Sequence, residues 1–233
     1  MKVQIFVTLI IIVFVSPEAI AADSITPGVY TTEGGWGNLD VSRATPDSPL
    51  SFSIFTTGTN AHMCQVEGAI RNNQGVATDK DCVIQFEIKR DRVTVNGGPG
   101  CLAECGSNTI IDGDYFPQDT LCSNEQNIRE EFKRQYQSGK YHQAQKLLTE
   151  LLGKCESFMD WRSQTEIRND LAVTDLHLGD KPACLKTLEP LKEWFIDDLS
   201  NTGRWFRPAD EEWGNAMVKS TRFNWKKCGG TSK

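Results

Sequence analysis

One pattern, written twice at a distance of 40 residues, constrains the fold of this chain more than any other feature. The segments RQYQSGKYHQAQKLLTEL and TDLHLGDKPACLKTLEPL align so that Gly139 falls on Gly179 and Leu148 on Leu188. In each copy, apolar residues recur at three- and four-residue spacing on both sides of the glycine, which is typical of amphipathic helices joined by a glycine turn. The sequence therefore predicts two consecutive helical hairpins between Asn124 and Phe195.

The first copy resembles the tetratricopeptide repeat. Its residues from Gly139 to Ala144 match the Gly-x-Tyr-x-x-Ala pattern of that family. The second copy departs from the pattern at Lys181 and Cys184, and the 40-residue period exceeds the family's usual period of about 34. The resemblance covers about a third of the chain and implies stacked hairpins that bind protein or peptide on a concave face. A helical bundle that serves only for packing is the alternative.

The amino terminus has the pattern of a secretory signal peptide. Lys2 precedes an apolar run from Ile5 to Val15, Pro17 follows the run, and Ala19-Ile20-Ala21 has the form of a cleavage site. The run is shorter than the roughly 20 residues that span a bilayer, and no later segment approaches that length. We therefore expect cleavage after Ala21 and a periplasmic or secreted bacterial protein without a membrane span.

The eight cysteines also indicate export, because all of them follow the expected cleavage site and their even number predicts four disulfide bonds in an oxidising compartment. In an antiparallel hairpin, the start of the first helix lies beside the end of the second. We therefore expect Cys122 to bond to Cys155 and, by the same rule, Cys184 to bond to Cys228. No bond is expected to join the front half of the chain to the rear half.

Three pairings are open for the four cysteines of the front half. We favour a bond between Cys64 and Cys82 and another between Cys101 and Cys105. Zinc binding by the closely spaced second pair is the alternative, and it is disfavoured because no histidine is near and the compartment is oxidising.

Residues 24–117 predict an antiparallel β-domain. Leu50, Phe52 and Ile54 alternate with serines, so one face of their strand is buried and the other is exposed to solvent. Turn-forming clusters recur about every 8 to 12 residues, which is typical of a meander. The expected strands are Gly28–Thr32, Leu50–Thr56, Met63–Ile70, Val83–Ile88 and Val93–Val95.

The motif Gly-x-Tyr occurs at both ends of this domain, at Gly28–Tyr30 and at Gly113–Tyr115. Pairing of these two segments would close a small barrel and remove its exposed edges, whereas an open sandwich is the alternative. The predicted fold class is therefore α+β in two domains. A small antiparallel β-barrel or sandwich over residues 22–118 follows the signal peptide at 1–21 and precedes a helical repeat domain over residues 119–233.

The front half is also similar to cysteine-bridged β-domains of secreted bacterial proteins. The similarity lies in Cys64-x-x-x-Gly68, Cys82-x-x-x-Phe86 and Cys101-x-x-x-Cys105-Gly106. Small secreted inhibitors of lysozyme use comparable barrels, so the similarity implies inhibition as a class of function. No inhibitory loop of those proteins matches this chain residue by residue.

The formal net charge of −6 argues against nucleic acid and against an anionic membrane surface as partners. One basic cluster departs from this acidic balance. Its residues recur at helical spacing, which indicates a solvated helix face. It consists of Lys219, Arg222, Lys226 and Lys227, and we expect it to lie away from Trp213, Met217 and Phe223.

No motif of a catalytic, cofactor or phosphate site occurs in the sequence. The histidines His62, His142 and His177 are scattered and have no evident nucleophile or carboxylate partner. The opening of a calcium loop is suggested by Asp112-Gly113-Asp114, but Phe116 and Ser123 stand where an oxygen ligand and a glutamate are needed. We therefore expect no catalytic residue, no cofactor and no metal.

Aromatic and arginine residues dominate protein interfaces, and two groups of them are candidate contact residues. The first group is Trp161, Arg162, Arg168 and Asn169, and the second is Arg204, Trp205 and Arg207. The alternative for the first group is structural: Trp161 would fill the hairpin core, Arg162 would pair with Glu166, and Arg168 would be solvated.

These patterns predict an exported, non-catalytic protein that binds another protein or an envelope component. One alternative is an inhibitor or immunity protein that acts through its β-domain against a lysozyme-like or other envelope-attacking enzyme. A hydrolase of unknown type and a purely structural scaffold are further alternatives.

Overall fold

The computed structural model describes residues 24–58, 62–78, 81–105, 109–193 and 210–231. The predicted signal peptide and the candidate contact residues Arg204, Trp205 and Arg207 lie outside these residues. A β-barrel is followed by a helical region, which confirms the predicted α+β architecture with two domains. Within the described ranges, no helix combines the length and the apolar character needed to cross a membrane.

Eight antiparallel strands form a closed barrel, in which each strand pairs with the next and the last pairs with the first. In chain order they are β1 Gly28–Thr32, β2 Gly37–Ser42, β3 Leu50–Thr57, β4 Met63–Arg71, β5 Gln74–Ala77, β6 Val83–Ile88, β7 Val93–Gly97 and β8 Gly113–Pro117. The barrel, and not the sandwich, is therefore the form of the β-domain. A short 3₁₀ turn at Glu33–Gly35 joins β1 to β2.

The two Gly-x-Tyr segments close the barrel as predicted, because they lie in β1 and β8 and Thr32 is opposite Tyr115. Both tyrosines are buried. The Tyr30 hydroxyl donates a hydrogen bond to the carbonyl oxygen of Thr26 at 2.8 Å, and the Tyr115 hydroxyl donates one to that of Ile111 at 2.9 Å. Each hydroxyl thus bonds to the backbone four residues earlier, which fixes the chain as it enters the strand.

The inward side chains of all eight strands form one apolar core. Leu39, Ile54 and Ile84 are fully buried, and the rings of Phe52 and Phe86 meet edge to face at 5.5 Å. Burial of side chains of this size stabilises a fold by about 1.5–3 kcal/mol each. This core is separate from the apolar clusters of the helical region.

The disulfide pairing predicted for the front half is wrong. Cys64 bonds to Cys105, and Cys82 bonds to Cys101. The cause is the barrel: Cys105 pairs with Cys64 at the start of β4, and the 3₁₀ turn at Pro99–Ala103 carries Cys101 back to the start of β6. Among the described residues, no cysteine is free for zinc.

Within the described residues, six helices follow the barrel: α1 Thr120–Ser123, α2 Glu125–Gln137, α3 Tyr141–Cys155, α4 Trp161–His177, α5 Lys181–Leu188 and α6 Glu211–Cys228. Helices α2 and α3 form one hairpin, and α4 and α5 form another. Each hairpin turns at a glycine with positive φ, 71° at Gly139 and 77° at Gly179. The amide of Lys140 bonds to Gln135 and that of Asp180 to Asp175, both at 2.9 Å, so the two turns share one geometry.

The predicted rear disulfides are confirmed: Cys122 bonds to Cys155 and Cys184 bonds to Cys228. The first bond joins α1 to the end of α3. The second joins the start of α5 to the end of α6, and it lies in an apolar cluster with Leu188. The helices are thus covalently connected at both ends of the stack.

The barrel meets the helices at two short turns. Gly35, in the 3₁₀ turn after β1, has a φ of 64° and lies against the 3₁₀ turn Glu156–Phe158 that precedes α4. A Cβ atom at Gly35 would lie 2.7 Å from the carbonyl oxygen of Phe158 and 2.7 Å from the amide nitrogen of Asp160. Beside this contact, the rings of Phe116 and Phe158 are 5.7 Å apart.

The glycine at this junction gives a first prediction. Gly34→Ala should cost about 1–2 kcal/mol, because φ is 75° there and an alanine disfavours that conformation. Gly35→Ala should cost about 1–3 kcal/mol more, because its methyl group would also overlap the backbone of the facing turn. Gly34 is the matched control, since a Cβ there would have no neighbour closer than 3.9 Å. Equal losses in urea-induced unfolding would contradict a tight junction.

Peptide mapping under non-reducing conditions tests the front disulfides. Cleavage after Arg71 separates Cys64 from Cys82, and cleavage after Glu104 separates Cys101 from Cys105. We expect linked peptides that contain Cys64 with Cys105 and Cys82 with Cys101. Any peptide that joins Cys64 to Cys82 would contradict the closed barrel register.

Candidate functional site

A cavity of about 530 Å³ opens between α2, α4 and α6, and we call it the helical groove. The first helix of each hairpin forms one wall, and the final helix forms another. Seven side chains matter for its chemistry: Arg129 from α2, Glu166, Asn169 and Asp170 from α4, and Met217, Lys219 and Phe223 from α6. The residues of α4 recur at helical spacing and therefore share one face of that helix.

Helix α6 packs with one face and leaves Phe223 on another. Its buried residues are Gly214, Val218, Thr221, Asn224, Trp225 and Cys228. The side chain of Phe223 lies off this face and is 61% exposed, and the Lys227 ammonium lies 5.3 Å from the centre of its ring. The prediction that the basic cluster faces away from Phe223 is therefore wrong. The groove carries an exposed aromatic ring on its rim.

Glu166 connects the three helices that form the groove. Its carboxylate accepts hydrogen bonds from Arg129 of α2 and, at 2.8 Å, from the indole nitrogen of Trp213 of α6. Arg129 also forms an ion pair with Glu125 at 3.5 Å. Burial raises the pKa of Glu166, but the bonds from Arg129 and Trp213 outweigh it and hold this pKa below its usual range. Glu166 is therefore ionised, and each of its carboxylate oxygens accepts a hydrogen bond.

Asn169 forms the floor of the groove. Its amide nitrogen donates to the Thr165 carbonyl oxygen and to the Thr221 hydroxyl, both at 2.9 Å. Its amide oxygen accepts from the side chain of Asn224, also at 2.9 Å. Since these bonds are buried and join α4 to α6, they fix the spacing of two groove walls.

Asp170 is the one groove carboxylate that forms no ion pair and no side-chain hydrogen bond within the described part of the chain. Burial raises its pKa, the positive charge of Arg129 opposes this, and the negative charge of Glu166 adds to it. Lys133 of α2 and Lys219 of α6 are exposed cations around it, and neither pairs with it. Asp170 therefore presents a desolvated and unpaired carboxylate to the groove.

The structure places the first group of predicted contact residues mostly outside the groove. Trp161 is 39% exposed and meets Trp213 edge to face at 5.0 Å. Arg162 forms an ion pair with the buried Asp210 and lies 5.6 Å from the centre of the Trp213 ring. Its expected pairing with Glu166 is therefore wrong. These four side chains join the start of α4 to the start of α6.

Arg168 and Asn169 are also engaged within the helical region. Arg168 pairs with Glu156 and donates to the Thr187 carbonyl oxygen at 2.9 Å, so the interpretation of a solvated arginine is wrong. Asn169 is the one member of this group that lines the groove. Sequence reasoning missed Arg129, Asp170 and Phe223. The stripe of polar residues at three- and four-residue spacing in α4 was the available signal.

None of the three histidines lines the helical groove. His177 stacks on Tyr141 at 4.4 Å and meets Tyr136 edge to face at 5.4 Å. His142 is exposed one residue after Tyr141. Across the residues that the structure describes, no three histidine, cysteine or acidic side chains are arranged to hold a metal ion.

The state of Asp170 gives a prediction about stability. Because the pKa of Asp170 is raised in the folded protein, the contribution of this group to the free energy of unfolding is fully present below its unfolded-state pKa. That contribution is lost as the pH rises through the folded-state pKa. Asp170→Asn should therefore raise the melting temperature at pH 7 by a few degrees, and the gain should vanish in acid. Exposed Asp47→Asn is the matched control and should have no effect. A lower melting temperature for Asp170→Asn would mean that the carboxylate has a stabilising partner.

Comparison of the chain with protein-family models, with curated proteins and with solved structures finds no match.

Proposed function

We propose that this protein is an exported, non-catalytic binding protein, and that its helical groove receives a segment of another protein or of an envelope component. The observation that carries the proposal is the groove itself, which combines the exposed ring of Phe223 with the unpaired carboxylate of Asp170. Exposed aromatic surface beside polar groups is characteristic of contact sites.

The groove is large enough for part of a bound segment and too small for a whole domain. A volume of about 530 Å³ lies within the range of about 300–1,000 Å³ that is usual for ligand sites. It accommodates a few side chains of an extended or helical segment. The walls are the first helices of two hairpins and the helix that follows, which is where the tetratricopeptide resemblance would place protein or peptide binding.

Export is part of the proposal and has its own support. Four disulfide bonds join all eight cysteines, which fits an oxidising compartment. The amino-terminal sequence has the pattern of a signal peptide. The partner is therefore expected in the periplasm, at the cell surface or outside the cell.

One observation favours the inhibitor or immunity protein as a second candidate. The barrel exposes Met63 beside Cys64 and Leu102 beside Cys101, with exposed fractions of 62% and 66%. Large apolar side chains held next to disulfide bonds would form a rigid contact surface. Inhibition of an envelope-attacking enzyme would use this part of the barrel and not the groove.

Two truncations of similarly exposed side chains separate these candidates. The mature protein, with its disulfides intact, is immobilised and exposed to a periplasmic extract. Phe223→Ala should reduce capture of the partner at least about 10-fold, the usual size of a contact hot spot, because the groove loses its exposed ring. Leu102→Ala, on the barrel, should leave capture unchanged.

The reverse pattern would assign binding to the barrel and support the inhibitor. Capture that is unchanged by either truncation would contradict both surfaces as the main contact. Since both side chains are mostly exposed, neither change is expected to unfold the protein.

A further inference from the structure

We propose that the helical groove is selective for a lysine or arginine side chain of the bound segment, with an apolar residue beside it, and that Asp170 binds the cationic group. This inference rests on the proposed function, since it specifies what the groove recognises. The proposed function says that the groove binds a segment, and the inference adds that it prefers a positively charged one.

The charges on the α2 and α4 side of the groove do not balance. Glu125 and Glu166 both form ion pairs with Arg129, so that the single guanidinium serves two carboxylates. Asp170 carries a third carboxylate, and no guanidinium remains for it within the described residues. The wall formed by α2 and α4 therefore has an excess of negative charge at Asp170.

Burial makes this excess costly for the free protein. An ionised carboxylate that is removed from water without a partner destabilises the fold, and for this reason buried charges are usually paired. The raised pKa of Asp170 reflects that cost. A cation that enters the groove would supply the missing partner, so part of its binding energy comes from relief of this penalty.

The chemistry of the groove distinguishes an organic cation from a metal ion. Calcium takes about six to eight oxygen ligands, and magnesium about six. Asp170 offers two carboxylate oxygens, and the neighbouring carboxylate of Glu166 is already occupied by Arg129 and Trp213. An ammonium or guanidinium group needs only one carboxylate and can retain contact with water.

The shape of the groove fits a long cationic side chain. Asp170 lies in the partly buried wall, whereas Phe223 is exposed on the rim and Met217 lies on the same helix. Lysine and arginine bury their methylene stems against apolar surface while their charged ends reach a polar partner. Phe223 and Met217 would contact the stem and the neighbouring apolar residue, and Asp170 would bind the charged end.

The exposed cations Lys133 and Lys219 lie around the groove and do not satisfy Asp170. Both side chains remain in water, where an ammonium group is strongly hydrated. A cation delivered by a bound segment differs, because the segment also covers the carboxylate and excludes water from it.

The test uses blocked nonapeptides with acetylated and amidated ends and the intact mature protein. The central residue is lysine, arginine, norleucine or glutamate, and it is flanked by leucine and alanine. Norleucine keeps the apolar stem of lysine and removes only the charge. Affinities are measured by fluorescence anisotropy for the wild type, for Asp170→Asn and for Phe223→Ala.

We expect the wild type to bind the lysine and arginine peptides at least about 10-fold more tightly than the norleucine peptide, since only the charged side chains can form charge-assisted hydrogen bonds with the Asp170 carboxylate. Asp170→Asn should reduce this ratio to about 1. Phe223→Ala should weaken all peptides and leave the ratio unchanged. Because Asp170→Asn is expected to stabilise the protein, loss of folding would not explain its effect.

Three outcomes would overturn the inference. A preference for lysine that persists in Asp170→Asn would place the cation elsewhere, and equal affinity for the lysine and norleucine peptides would remove charge selectivity. Binding of all four peptides with sensitivity to Phe223→Ala would still support the groove as the binding site. Absence of any peptide binding would overturn the inference, while the capture experiment with Phe223→Ala decides the proposed function separately.

Discussion

The bond of the Glu166 carboxylate to Arg129 and Trp213 is the interaction on which the rest of the helical region depends. One side chain of α4 holds α2 on one side and α6 on the other, and the space between these helices is the groove. The same bond determines the charge of the groove. Since Arg129 is committed to Glu166 and Glu125, Asp170 one turn further along α4 is left without a partner. The hydrogen bonds of Glu166 therefore both fix the positions of the groove walls and leave Asp170 without a partner.

Local sequence signals predicted the helical part of the fold well. Gly139 and Gly179 each end a helix, and the antiparallel geometry of a hairpin is enough to pair Cys122 with Cys155. The strands of the barrel were harder to predict, because β2 and β5 contain few apolar residues and were not recognised as strands. The bond between Cys64 and Cys105 depends on how the chain returns after β7. Such non-local pairing has no signature in residue spacing.

The candidate site was predicted less well, for a different physical reason. Trp161 and Arg162 were selected by residue type, yet the fold uses them to join α4 to α6 through Trp213 and Asp210. Phe223 was assigned to the apolar side of its helix, but that side is occupied by residues at other positions. Residue type indicates what a side chain can do, whereas the packing of neighbouring helices decides whether it remains exposed to do it.

Covalent connections give the groove the rigidity that selective binding requires. The bond between Cys122 and Cys155 closes the open end of the first hairpin, and the bond between Cys184 and Cys228 ties the second hairpin to α6. Both groove walls are thereby restrained before any partner arrives, which lowers the entropy lost on binding. A rigid groove also prevents Asp170 from moving into water to relieve its desolvation. The unpaired carboxylate therefore persists in the free protein, and under the proposed function a cation from the partner would gain the full benefit of pairing with it.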